Sequence, residues 1–205
     1  YEFAGNLGNG ALKPERTTEF EVGFESAFFK KRVNLDVAVY DKTTVDLLVG
    51  RPISPSTGYT SQTANICDIT NKGIEVSLNL VPVRTNDFQW DFTTTFTKNV
   101  SEVTDILGDS EKQLLASNYG VTFNAVVGEP LGVFAAKMPL KNDEGKYIVD
   151  GATGFYKVSD DEQIIGTSQR DFVMGFNSKM TYKNLVFTFG IGWKQGGEMY
   201  SYTKR

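Results

Sequence analysis

The chain has 205 residues, and its 13% aromatic content with 20 Gly and only 6 Pro is typical of a β-rich domain rather than a helical bundle or a disordered chain. The net charge of −4 is small and the basic residues are scattered, which excludes a polybasic nucleic-acid surface. His is absent and Cys67 is the only cysteine, so the usual general base, the commonest zinc ligand and an internal disulfide are all missing.

The first predicted hairpin covers roughly residues 20 to 40. Apolar residues alternate with polar or small ones, and this period of two places two chemically different sets on opposite faces of a strand. The apolar positions are Phe20, Val22, Phe24 and Phe28 in the first strand, then Val33, Leu35, Val37 and Val39 in the second. Between them lies the short basic turn 30–32, so the two strands are predicted to pair as a hairpin.

A second hairpin follows between about residues 74 and 97. The third strand carries Ile74, Val76, Leu78 and Leu80, and the fourth carries Phe88, Trp90, Phe92 and Phe96. We expect the third strand to end at Pro82, because proline cannot donate to a β-ladder, and the turn to lie at residues 83–87. Cys67, ahead of this hairpin, is expected to be a small apolar residue near the end of a loop.

The last predicted hairpin spans residues 172 to 193 and turns at Lys183 and Asn184. Its apolar positions are Phe172, Met174, Phe176, Met180 and Tyr182, answered by Leu185, Phe187, Phe189, Ile191 and Trp193. All three hairpins have short turns, whereas the remaining connections, near residues 50–70 and 105–170, are long. Outer-membrane barrels have short periplasmic turns and long extracellular loops. The sequence therefore predicts an all-β, antiparallel transmembrane barrel portion with its short turns in the periplasm and its long loops outside.

A soluble antiparallel sandwich is the alternative, since its strands also alternate. The apolar stripes favour the barrel, because they are free of charge through their centres and acquire Asp41 and Lys98 only at the distal end. Aromatic residues near the strand ends fit the girdles of a membrane protein. The residues predicted to face lipid are Phe20, Val22, Phe24, Leu35, Val37, Ile74, Val76, Leu78, Trp90, Phe92, Phe187, Phe189 and Trp193.

The segment from Leu12 to Glu25, LKPERTTEFEVGFE, resembles the "NPxLKPExxxxxExG" signature that opens a late barrel strand in TonB-dependent receptors. The match departs from the signature before Leu12, where the chain reads Asn-Gly-Ala. Pro14 stands at the mouth of the strand, and the alternation starts directly after it.

Four further segments resemble the SusC/RagA branch of these receptors: 34–48, 52–59, 71–76 and 128–132. The resemblance implies a barrel of about 22 strands with an N-terminal plug. It also implies energy from the TonB complex, a SusD-like surface lipoprotein as a lid, and import of an oligosaccharide or oligopeptide across the bacterial outer membrane. About six strands are recognisable, so we expect the chain to be one portion of such a barrel, with the plug and the TonB contact elsewhere. Residues 166–170 depart from the family pattern before the strand at 172.

The carboxylates Glu19, Glu21 and Glu25 lie close together in one strand, and glycosidases use two carboxyl groups a few ångströms apart. Their shared register on one strand favours a solvated or plug-facing wall, and we predict that the chain is not an enzyme. Glycines near 190–197 fit no nucleotide-binding spacing.

Calcium is the one cofactor that the loop carboxylates suggest, since it prefers several carboxylates on a flexible loop. The two candidate groups are Asp105, Asp109 and Glu111, and Asp160, Asp161 and Glu162. Neither has the spacing of an EF-hand, so solvated loop charge is the favoured interpretation and no cofactor is predicted.

A connection as long as 105–170 is usually functional or disordered. Its aromatic side chains suit contact with a partner protein or stacking on sugar. The candidates for contact with a lid or a substrate are Arg51, Tyr59, Tyr119, Phe134, Tyr147, Phe155 and Tyr156. Two functions remain open: active import of a large nutrient, or a structural or adhesive β-protein that binds a partner through its loops.

Overall fold

The computed structural model describes residues 4–108, 110–201 and 203. Within that part of the chain, eleven β-strands form two sheets. The strands are β1 Ala4–Leu7, β2 Arg16–Phe28, β3 Val33–Pro52, β4 Tyr59–Arg84, β5 Phe88–Ile106, β6 Lys112–Asn118, β7 Val121–Val126, β8 Val133–Ala136, β9 Gln163–Thr167, β10 Arg170–Tyr182 and β11 Leu185–Gly196. Among the described residues, no helix is long and apolar enough to cross a membrane.

The large sheet has seven strands in the order β11-β10-β5-β4-β3-β2, with β1 added parallel to β4. The three predicted hairpins are β2–β3, β4–β5 and β10–β11, and all are confirmed as antiparallel pairs. β10 pairs with β5, so the long connection between them joins strands that are neighbours in the sheet.

All three short turns lie at one end of the large sheet. The Val81 amide donates to the Arg32 carbonyl at 2.7 Å, and the Lys183 amide donates to the Asp87 carbonyl at 2.8 Å. These bonds tie each turn to its neighbour. Opposite them, the long strands β3, β4 and β5 extend well beyond β10 and β11, to an edge that we call the distal end.

Two predicted strand boundaries were wrong. Much of the predicted 50–70 loop is strand, since β3 runs to Pro52 and β4 starts at Tyr59, leaving a short turn with one 3₁₀ segment. β4 also continues past Pro82 to Arg84. Pro82 is tolerated because it falls in a register shift between Leu80 and Val83, where the ladder is interrupted.

The predicted 105–170 loop is also largely structured. It contains a second sheet of four antiparallel strands, β6-β7-β8-β9, which we call the small sheet. Between β8 and β9, residues 138–159 form a three-segment arm, in which the Leu140 amide donates to Lys157 O and the Ile148 amide to Leu140 O. Short strands and Gly turns carry little periodic signal, so the sequence did not reveal this sheet.

The buried core of the described residues lies at the distal end. Its buried members are Ala64, Ile66, Cys67, Val103, Ile106 and Ala125, with Leu47, Val49, Ile69, Leu115 and Leu131 packed around them. We call this set the distal core. Cys67 was predicted near a loop end, but it lies within β4 and is only 4% exposed, since the strand runs much further than its clear alternation.

Candidate functional site

The large sheet has an outer face and an inner face of opposite chemistry. Directly opposed residues of an antiparallel pair share a face. The ladders pair Val22 with Val39, Phe24 with Val37, Leu35 with Leu78, Val76 with Phe96, Trp90 with Met180 and Phe189 with Ser178. The predicted lipid-facing residues therefore gather on one side of the sheet, which we call the outer face.

Large apolar side chains on the outer face stay exposed. Phe20 is 72% exposed, Phe24 58% and Phe187 61%. A contiguous apolar surface of this kind marks a membrane or protein contact, because water would leave it unstable.

One polar residue on the outer face has a hydrogen bond that suits apolar surroundings. Ser178 lies in the register of Phe176 and Met180 and is 2% exposed. The Trp90 indole N–H donates to its hydroxyl at 2.9 Å. The hydroxyl is therefore satisfied without water, as an apolar medium requires.

The inner face carries polar and small residues. Tyr40 lies across β4, with its ring over Gly73, where any added Cβ would overlap the ring. The Tyr40 hydroxyl donates to Asn99 Oδ1 at 3.1 Å, and the Asn99 amide donates to Asn71 Oδ1 at 2.9 Å. Three adjacent strands are thus joined by side chains, and Gly73 is required for the close approach.

Carboxylates cluster beside this network and line grooves on the inner face, one of about 610 Å³. Glu25 stands directly opposite Asp36 across the β2–β3 ladder, and Glu75 lies two strands from Glu21. Like charges directly opposed destabilise a sheet unless water or a cation screens them. None of the ion pairs in the described part of the chain involves Glu25, Asp36 or Glu75. The arrangement fits a wet wall.

Both faces change character at one level of the sheet. On the outer face, Asp41 forms an ion pair with Lys72 at 3.3 Å, and Lys98 stands opposite Ile74. On the inner face, one step further along, Ile69 pairs with Val103, and apolar residues replace polar ones. Between the short turns and this level, the apolar residues therefore lie on the outer face. Between this level and the distal end, they lie on the inner face.

Cys67 lies above that level, in the distal core. Burial, and to a smaller extent the carboxylate of Asp68, raises the pKa of the Cys67 thiol to about 11. A buried thiol that stays protonated at neutral pH is a poor nucleophile, so it carries no chemistry of its own.

The LKPER segment, residues 12–16, contacts the irregular part of β3 around Asp46. Asp46 has a φ of 58° and sits in a register shift between Thr44 and Leu47, which is a β-bulge. Asn65 accepts a hydrogen bond from the Lys13 amide at 2.9 Å and donates to the Asp46 carbonyl at 2.7 Å. Lys13 and Arg16 place their cations 4.0 and 3.9 Å from the Asp46 carboxylate. The signature thus has a local physical role in fixing the bulge.

The predicted contact residues fall into separate places. Arg51 donates to Gln62 Oε1 at 3.3 Å near the distal β3–β4 turn, where Tyr59 begins β4. Phe134 in β8 packs on Phe123, with ring centroids 5.2 Å apart. Tyr119 stands at the β6–β7 turn and is 63% exposed.

In the arm, predicted contact residues of the described part of the chain come together. The rings of Tyr147 and Tyr156 lie 5.1 Å apart, and Lys141 Nζ lies 4.9 Å from the Tyr147 ring. Tyr147 is 50% exposed, Tyr156 58% and Phe155 77%. The arm is therefore the most exposed aromatic surface among these candidates.

Neither predicted calcium group is assembled in the described residues, where no three His, Cys, Asp or Glu side chains are close enough to hold a metal ion. Asp109 lies outside the described residues. Glu162 instead accepts hydrogen bonds from Lys112 at 2.6 Å and Thr122 at 2.9 Å. The Lys112 ammonium, then the Thr122 hydroxyl, holds the pKa of the Glu162 carboxyl below its usual range.

An antiparallel meander with an exposed apolar face, a polar opposite face and short turns at one end defines the wall of an outer-membrane β-barrel. Comparison with known proteins agrees. Residues 1–202 match the family model described as "TonB dependent receptor-like, beta-barrel". The chain belongs to this family, as the sequence predicted.

Two relatives illustrate the kinship. TonB-dependent receptor P26 of Formosa agariphila is 30% identical over 98% of this chain, and TonB-dependent receptor SusC of Bacteroides thetaiotaomicron is 32% identical over 89% of it. The chain spans about a fifth of their length, 22% and 20%. The resemblance to the SusC/RagA family is confirmed.

Solved structures share the fold. The chain superposes on a structure titled "Structure of the RagAB peptide transporter" with a TM-score of 0.73 and 23% identity, covering 93% of this chain and 22% of the other. A second, the RagAB peptide importer in its "open-open" state, gives a TM-score of 0.70. The strands thus follow the path of a barrel portion that is not closed by this chain alone.

Proposed function

We propose that this chain is part of the wall of a TonB-dependent transporter in the bacterial outer membrane, which imports a large nutrient such as an oligosaccharide or an oligopeptide. In this role the outer face contacts lipid and the inner face lines the lumen. The short turns face the periplasm and the small sheet lies at the cell surface. The energy comes from the TonB complex through another part of the whole protein, and the proposal includes no catalysis and no cofactor.

The observation that carries the proposal is the exchange of faces at the level of Asp41 and Lys72. A lipid-exposed surface must be apolar only within the hydrocarbon, whereas outside it the apolar side must turn away from water. A soluble sandwich would keep its apolar side on one face throughout. The level of the ion pair therefore fits the outer boundary of the hydrocarbon.

The first test of the proposal is uptake by the whole transporter. A strain lacking the gene is expected to lose growth on one member of a panel of single glycans and peptides, and the restored gene to recover it. Recovery is expected to require an intact TonB complex. Growth on every member without the gene would contradict import, as would recovery of the intact protein from plain buffer instead of detergent-extracted outer membrane.

We further propose that the arm contacts a SusD-like surface lipoprotein. Apolar side chains are exposed on the arm, including Tyr147, Tyr156 and Phe155, and aromatic residues with polar tips are enriched in protein interfaces. The arm is hydrogen-bonded mainly within itself, so its loss should leave the large sheet intact.

Deleting residues 145–154 is therefore expected to weaken recovery of the lipoprotein with the tagged transporter at matched barrel levels. The control is Leu107→Ala, at an exposed residue that is not among the predicted contact residues. Equal lipoprotein recovery from wild type and the deletion would reject the arm as the contact.

A further inference from the structure

The small sheet covers the inner face at the distal end. The alternation of β4 is unbroken from Glu75 through Gly73 and Asn71 to Ile69, so Ile69 lies on the inner face. In β5 the same holds from Thr97 to Val103, which pairs with Ile69. The apolar patch that starts here is thus a continuation of the polar inner wall.

Residues of the connection fill that patch. Ala125 of β7 is fully buried in the distal core, and Leu115 and Leu131 pack beside it. β6 contacts β3, although the connection leaves the large sheet from β5, two strands away. The small sheet therefore crosses the inner face of β4 and β3 and does not project away from the sheet.

Backbone contacts fix it in place. The Val103 amide donates to the Glu129 carbonyl at 2.9 Å, and the Gly128 amide donates to the Val103 carbonyl at 2.9 Å. The Ser101 amide donates to Gln169 Oε1 at 2.8 Å on the other side of the connection. Val103 is 0% exposed, so lifting the small sheet would expose a packed apolar surface.

We propose that the small sheet is a fixed roof over the inner face, which limits the size of solutes that reach it from the cell surface. The proposal rests on the import function above, since only there is the inner face a route. Because the roof is held by a packed core, it acts as a permanent size limit, whereas a mobile lid would need few apolar contacts.

The roof predicts size-dependent access to a cysteine placed beneath it. Ser77 lies on the inner face opposite Thr95 and lines the groove, and Ser77→Cys is a near-isosteric change. Ser56 is exposed in the distal β3–β4 turn, outside both the arm and the small sheet, so Ser56→Cys is the open control. Both are made in the full-length transporter in intact cells. The two probes are a small methanethiosulfonate and a maleimide on a long polyethylene glycol chain.

For the Ser77→Cys variant, we expect the rate of the large probe relative to the small one to be about tenfold lower than for Ser56→Cys. The small probe passes the fixed roof, whereas the large one reaches the site only during rare local opening. Adding Ala125→Glu places a charge in the distal core and should unseat the roof, raising that ratio towards the control. Ala116→Glu, the same change at an exposed position of β6, should leave it unchanged.

Native Cys67 reports whether the roof has moved, since it is buried with Ala125 in the distal core. In the parent it should resist the small probe, and in Ala125→Glu it should react. If Ala125→Glu fails to assemble in the membrane, Leu131→Ala is used to loosen the roof more mildly. The reactivity of Cys67 again shows whether the roof has moved.

Two outcomes overturn the roof proposal. One is an equal ratio of large-probe to small-probe rates for Ser77→Cys and Ser56→Cys in the parent. The other is a Ser77→Cys ratio that does not rise in Ala125→Glu although Cys67 has become reactive. Loss of the import function is distinguished by the growth assay. Size-limited labelling without import would refute transport and keep the roof, and import with unrestricted labelling would refute the roof alone.

Discussion

The large sheet below the Asp41–Lys72 level and the distal region above it place their apolar residues on opposite faces. Below, Phe24 and Phe187 are more than half exposed on the outer face. Above, Val103 is fully buried on the inner face, under the small sheet. The same strands run through both regions, so the medium around them, and not the strand itself, decides which face is apolar.

In β3 the exchange of faces depends on a strand irregularity, whereas Ile69 of β4 and Val103 of β5 lie on the inner face by unbroken alternation. Register shifts occur in β3 between Thr44 and Leu47, and between β4 and β5 near Asp68. A bulge adds one residue and turns the following side chains to the other face. Leu47 and Val49 therefore join the distal core, although odd-numbered β3 residues below the bulge lie on the outer face.

The largest effect is expected in the distal core. Ile106→Ala should lower the local unfolding free energy of this region by about 2 to 5 kcal/mol, because it removes packed methyl groups where the chain can collapse little. Hydrogen exchange at β5 and the reactivity of Cys67 measure it. Leu107→Ala, at a residue 64% exposed, should have almost no effect, and equal losses would contradict the assigned core.

On the outer face of the wall, Leu78→Arg should cost about 2 to 4 kcal/mol if the residue lies near the bilayer midplane, where a guanidinium has no water. Ser77→Arg, one residue away on the inner face, should be mild. A barrel-refolding titration of the whole protein compares them. The assigned faces would be rejected if the two variants lost equal stability.

Between the two regions, the Tyr40–Gly73 contact gives a smaller effect. Gly73→Ala should cost about 1 to 3 kcal/mol, because the new methyl group displaces the Tyr40 ring and its bond to Asn99. Gly192→Ala, where an added Cβ meets nothing within 4 Å, is the control. Adding Tyr40→Ala to Gly73→Ala should remove the steric conflict, so a fully additive double variant would argue against this contact.

The smallest effect concerns the small sheet and pH. The unfolded Glu162 carboxyl has its ordinary pKa and the folded one a lower pKa, so its contribution is present above the unfolded value and is lost as the pH falls through the folded one. The pair with Lys112 is partly exposed and should contribute about 0.5 kcal/mol or less.

Hydrogen exchange of β6 and β7 at mildly acidic and at lower pH should show this loss, and Glu162→Gln should abolish the dependence. The same pH slope in Glu162→Gln would assign it to another carboxyl.

Sequence periodicity predicted the six long strands well, because each strand has an apolar medium on one face and a polar medium on the other. It failed where that contrast ends. Residues 59–70 belong to β4, yet they alternate poorly, and the consecutive residues Ile66 and Cys67 are both buried. The small sheet was missed because its strands are short and carry little periodic signal.

The candidate site divides in the same way. Glu21, Tyr40 and Glu75 could be assigned to one face from spacing alone, and the ladders agree. The Tyr40–Asn99 hydrogen bond and the Lys13–Asp46 ion pair join residues far apart in the chain, which no local pattern reports.

By itself, the sequence determined the strand faces, the three short turns and the family, because these depend on alternation, turn residues and contiguous motifs. The tertiary structure alone decided how far the strands extend and on which side the long connection folds. Those features depend on β-bulges, where a one-residue shift reverses the face, and on packing between distant segments, such as those that bring Ala125 and Val103 into the distal core.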